Sequence, residues 1–176
     1  MSNLAYDPKR IIEACPYTSS FYSYLGMAIG VSFSGLGSAF GTAKAGKGVV
    51  AAGVMKPAQA MKNTLPVIMA GVLGIYGLII AIVINTSIGK YQNSTQVPLF
   101  ISFAHLAAGI CTGVAALSAG IAIGIAGNAG ARASARNSKL FVVMLLILVF
   151  GEALALYGLI IGLILSFKDV TCPNRS

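Results

Sequence analysis

Between Lys139 and Lys168 the chain reads KLFVVMLLILVFGEALALYGLIIGLILSFK, an apolar run in which Glu152 and Tyr157 are the only ionisable side chains. A helix of this length, rising about 1.5 Å per residue, crosses a bilayer core of about 30 Å. Glu152 falls almost at the midpoint, which puts its carboxyl group near the centre of the membrane. On insertion scales a charged side chain at that depth costs about 2.5–3.5 kcal/mol. The group must therefore be protonated much of the time, or face water or a partner. The 176 residues include only four acids. Asp7, Glu13 and Asp169 sit near the termini, so Glu152 stands alone inside an apolar span.

The rest of the composition agrees with a membrane setting. The chain is 57% hydrophobic and 9% charged, too little charge to cover the surface of a water-soluble domain. A net charge of +8 invites a nucleic-acid reading. The basic residues, however, are scattered through short connectors with no interleaved aromatics, which fits membrane topology and no nucleic-acid partner. The first twenty residues carry acids, Pro8 and Pro16 and no apolar core, so they do not resemble a cleaved signal peptide. Cys15, Cys111 and Cys172 have no metal-ligand spacing, and neither a metal nor a cofactor is expected. A Cys15–Cys172 disulfide would require both termini in one oxidising compartment.

Four apolar spans follow one another, near residues 20–43, 64–88, 99–127 and 139–168, which predicts an all-α membrane protein of four transmembrane helices. They divide the chain into a lead-in (1–18), a first helical hairpin (19–88), a polar loop (89–98), a second hairpin (99–168) and a tail (169–176). The connector 44–62 carries Lys44, Lys47, Lys56 and Lys62, and the one between the third and fourth spans carries Arg132, Arg136 and Lys139. This concentration of charge next to the spans places both basic connectors in the cytoplasm and both termini on the non-cytoplasmic side. The Asn-X-Ser/Thr sequons at Asn85, Asn93 and Asn174 then fall on the side where glycosylation occurs, although chance explains such short motifs and Asn85 lies close to the membrane.

The two hairpins are related in sequence. AGVLGIYGLII (70–80) matches GEALALYGLII (151–161) at an offset of 81, with Tyr76 on Tyr157 and Gly71 on Glu152. In the glycine-rich spans an offset of 83 superposes Gly26 on Gly109, Gly30 on Gly113, Gly37 on Gly120 and Gly41 on Gly124. Each unit is a glycine-striped helix, a basic loop and a bulkier helix ending in YGLII. The carboxyl is kept in only one of the two copies.

The segments GTAKAGKG (41–48), MKPAQAMKNTLPVIMAG (55–71), AIGIAGNAG (122–130) and LILVFGEALALYGLIIGLILS (146–166) resemble the proteolipid c-type family of vacuolar-type proton-translocating ATPases, and the likeness runs from about Tyr17 to Lys168. The resemblance implies that the hairpins assemble into a c-ring, with the glycine-striped helices inside and Glu152, the family's proton carrier, outside. It also implies the partners: a static subunit a with an intramembrane arginine, the central-stalk subunit d, and the membrane of a vacuolar or endosomal-type acidic compartment. On this reading the chain is not an enzyme by itself but a membrane subunit of one. Facing lipid, Glu152 is protonated; beside the partner's cation it releases its proton; a fresh proton lets it re-enter lipid as the ring turns.

The transported ion is expected to be the proton. The stretch of the second span taken as facing the carboxyl, Val67 to Gly74, carries no side-chain oxygen, and the phenols of Tyr76 and Tyr157 make a poor cage for sodium. Tyr76, Tyr157 and Gly71 are the candidates for shaping the site. Tyr157 lies five residues beyond Glu152 on a different helical face, so no direct bond between them is implied. His105 reads as an interface histidine, and Ser34, Ser38 and Ser118 as small residues bonded back to helix carbonyls. A structural or pore-forming ring, a sibling subunit of the same ring, and a secondary transporter are the alternatives. Parallel repeats and the scarcity of polar side chains speak against the transporter.

Overall fold

Proline decides where the first helix stops. α1 (Ser19–Met55) continues without interruption until Lys56, whose extended backbone precedes Pro57, because a residue before proline is held out of the helical region. In the computed structural model, which describes residues 16, 18–91 and 97–169, a 3-10 turn (Pro57–Gln59) and a single α-helical turn (Ala60–Asn63) then lead into α2 (Leu65–Gly89). α3 (Leu99–Arg136) starts directly after Pro98, and α4 (Leu140–Ser166) follows a break at Asn137. There the Asn137 side chain accepts the Lys139 backbone N–H at 3.1 Å. The Cys15–Cys172 pairing weighed above and the sequons at Asn93 and Asn174 fall outside the described residues.

All four helices are long and apolar enough to cross a membrane. The basic connectors nevertheless differ from the sequence reading. Lys44 and Lys47 belong to α1, and Arg132 and Arg136 to the last turns of α3. The apolar run marks where a helix leaves lipid, whereas the helix continues until something breaks its backbone. α1 and α3 thus reach about 55 Å, well beyond the core of about 30 Å, and their excess lies at the basic end.

The bundle has two layers. α1 packs most extensively on α3 with the two helices parallel, and α2 and α4 cover them from one side. Gly26, Gly30, Gly37 and Gly41 of α1 and Gly109, Gly113, Gly120 and Gly124 of α3 are all buried. A Cβ on Gly26 would stand 2.5 Å from the His105 carbonyl oxygen, and one on Gly37 would stand 2.6 Å from Leu117 Cα. The backbones touch, which supplies van der Waals contact where lipid offers no hydrophobic driving force. Between the layers lies an apolar core of Leu73, Ile80 and Ile84 from α2, Ala116 and Ile123 from α3, and Leu148 and Ala155 from α4. Large apolar side chains such as Val142, Leu146 and Phe150 project outward from α4, as expected where the solvent is hydrocarbon.

Candidate functional site

Glu152 lies midway along α4, and the fold turns it inward: the residue is only 7% exposed. α2 and α4 both run from the basic end, and a Cβ on Gly162 would stand 3.0 Å from Ile80 Cδ1, so the repeat offset of 81 also sets which residues share a level and puts Glu152 near the level of Gly71. The Tyr76 hydroxyl of α2 donates to Glu152 Oε1 at 2.6 Å. The other carboxyl oxygen, Oε2, has no partner among the described residues. The site is one acid, held by one phenol, in an otherwise apolar environment.

The Val67–Gly74 stretch taken from the sequence as facing the carboxyl stops one half-turn short of this partner. The signal that points to Tyr76 is side-chain direction: helical side chains lean toward the N-terminus, so a long phenol covers the level of residues before its own Cα. Tyr76 therefore serves the level of Gly71, the repeat counterpart of Glu152. Tyr157 is 61% exposed and lies away from the carboxyl. A Cβ on Gly71 would meet nothing within 4 Å.

The other polar groups pair within the bundle. His105 is fully buried between the helices, and its Nδ1 is hydrogen-bonded with Ser23 Oγ at 3.0 Å. Ser38 reaches across to the Gly71 carbonyl at 3.4 Å, whereas Ser34 and Ser118 bond back to Val31 and Ala115 of their own helices. At the basic end, Ser134 donates to Asn63 Oδ1 at 2.7 Å and Gln59 donates to Ser138 at 2.7 Å, tying the two hairpins together. These cross-helix pairs have no sequence signature, because serine and asparagine are common in such turns.

Removing the phenol hydroxyl gives a direct prediction. Tyr76→Phe leaves the ring volume in place but both carboxyl oxygens without a partner. A hydrogen bond of about 0.5–1.5 kcal/mol is lost, so proton transport should change by roughly two- to tenfold with assembly intact. An unaltered transport rate would show that this bond plays no part in the cycle.

A buried acid at mid-membrane, carried by the second of two tandem hairpins, defines the class. The family of the ATP synthase C-subunit matches the chain twice, at residues 25–84 and 106–165, once for each hairpin, and the chain belongs to that family. It is also 54% identical over 161 residues to the V-type proton ATPase 16 kDa proteolipid subunit of Chrysotila carterae, covering 91% of this chain and 98% of that protein.

Proposed function

We propose that Glu152 is the proton carrier through which this chain serves as the proteolipid subunit of a V-type proton ATPase. The observation that carries the reading is the single acid, buried at the middle of a membrane-spanning helix and held by Tyr76. An acid there is tolerated when protonated, and its ionised form needs water or a cation beside it. A ring of such subunits turning past a static arginine-bearing subunit a would alternate the carboxyl between those two settings. Driving each proton against 100 mV requires about 2.3 kcal/mol. ATP hydrolysis elsewhere in the complex supplies it, and this chain is a non-catalytic membrane subunit. The basic ends of α1 and α3 face the cytoplasm and central-stalk subunit d, the termini face the lumen, and the compartment is an acidified organelle of vacuolar or endosomal type.

The proton is favoured over sodium because the carboxyl has one hydroxyl beside it, and that hydroxyl spends its hydrogen on Oε1. A dehydrated cation needs several oxygens. Sealed vesicles carrying the complex should acidify in sodium-free buffer. A hydrophobic carbodiimide, which reacts with protonated carboxyl groups, should modify Glu152 more slowly as pH rises and be indifferent to sodium. Protection by sodium would overturn the proton assignment.

A further inference from the structure

The basic end of the bundle holds a small cavity between the turns that lead into α2, the end of α3 and the start of α4. Its volume is about 90 Å³, and it is lined by Gln59, Lys62, Asn63, Ser134, Ser138 and Phe141. A water needs about 10–15 Å³ of such space, so the cavity admits a group of several heavy atoms.

The polar part of its wall consists of donors. Asn63 is 1% exposed, and with Oδ1 taken by Ser134 its Nδ2 has no partner among the described residues. A buried amide hydrogen without an acceptor is costly and calls for an occupant. Gln59 Nε2 donates to Ser138 Oγ at 2.7 Å, which leaves the serine's own hydrogen available. Lys62, exposed beside them, adds a full positive charge. The two acids among the described residues lie elsewhere: Glu152 at mid-membrane, and Asp169, which pairs with Lys90 at 3.9 Å at the opposite end. The set suits an anion and not a cation.

The depth of the cavity identifies the anion. Phe141 precedes Glu152 by eleven residues on one helix, about 16 Å along its axis. Half of a hydrocarbon core of about 30 Å is about 15 Å, so the cavity opens where acyl chains give way to phosphate groups. Phe141 forms its apolar wall, and Ile68 and Leu146, each more than half exposed, continue along α2 and α4 toward the membrane centre. A phospholipid matches both parts, with its phosphate among the donors and its chains on the apolar side chains below. A soluble phosphate would use only the first.

We propose that the cavity binds the phosphate group of an acidic phospholipid in the leaflet at the basic end, with Lys62 as the counter-charge and Asn63 and Ser138 as hydrogen-bond donors. The proposal needs the four helices to span the membrane but does not need Glu152 to carry a proton. A lipid seated there bridges the turns before α2 to the start of α4, the same joint that the Gln59–Ser138 bond closes.

Spin-labelled phospholipids test the assignment on the assembled protein in phosphatidylcholine vesicles. Chain-labelled phosphatidylserine should show a larger motionally restricted fraction than labelled phosphatidylcholine. Lys62→Gln should reduce that preference about fivefold, the weight of one lysine at an anionic lipid surface. Asn63→Ala removes a donor without altering charge, and should reduce it about threefold or more. If Asn63→Ala fails to assemble, Ser138→Ala, at an exposed position, makes the same measurement. Lys44→Gln, on α1 outside the cavity, should leave the preference unchanged. Equal restriction of the two lipids overturns the proposal. So does a preference that falls alike in Lys62→Gln and Lys44→Gln yet ignores loss of the neutral donors, the mark of diffuse attraction to a basic surface. Lys62-dependent retention of radiolabelled inorganic phosphate, with no lipid preference, would overturn the lipid as the occupant.

Discussion

Changing Glu152 to glutamine is expected to reduce acidification to background while the protein still folds and assembles. The amide keeps the length and shape of the acid, and its carbonyl oxygen can accept the Tyr76 hydroxyl as Oε1 does at 2.6 Å. It adds no charge at mid-membrane, so no new desolvation cost opposes insertion. What it loses is the ability to release and rebind a proton. Vesicle acidification, followed by quenching of a pH-sensitive dye, measures the effect, with native electrophoresis confirming assembly. Normal acidification by the assembled variant would remove Glu152 from the transport path and favour a structural or pore-forming ring.

The second large effect is expected at the helix contact. In Gly37→Leu the first carbon alone would stand 2.6 Å from Leu117 Cα and 2.7 Å from the Ala116 oxygen. Both are backbone atoms of α3, so the clash cannot be relieved by a rotamer change and α1 must move away. Overpacking an ordinary core costs about 1–3 kcal/mol. Here the cost extends along the whole α1–α3 seam, and the variant should fail to accumulate as assembled protein. Gly35→Ala is the matched control, since nothing lies within 4 Å of a Cβ at Gly35, and it should assemble normally. Wild-type amounts of assembled Gly37→Leu would show that the close approach is dispensable.

Much of this architecture is legible in the sequence because a membrane leaves few solutions. Without water, backbone groups must bond within each span, so apolar runs of this length become helices. The glycine spacing marks a stripe of close approach, and the offsets of 81 and 83 mark tandem hairpins with the same direction. Helix ends are less legible. Lys44 and Arg132 mark the edge of lipid, yet α1 runs on to Met55 and α3 to Arg136. Composition reports the surrounding medium, while proline and local turn geometry report where the backbone stops.

By itself the sequence determined that one acid, Glu152, lies at the middle of the last of four spans, and that its repeat counterpart, Gly71, carries none. It also named Tyr76 and Tyr157 as equivalent residues. Only the tertiary structure decided which of them meets the carboxyl. The two tyrosines match in sequence but occupy edges with different neighbours: Tyr76 faces the second hairpin and donates to Glu152, while Tyr157 faces outward. Likewise, only packing shows that His105 is buried and paired with Ser23. A repeat fixes what each unit contains, but the placement of one unit against the next is a property of packing, and that placement decides which tyrosine meets the acid.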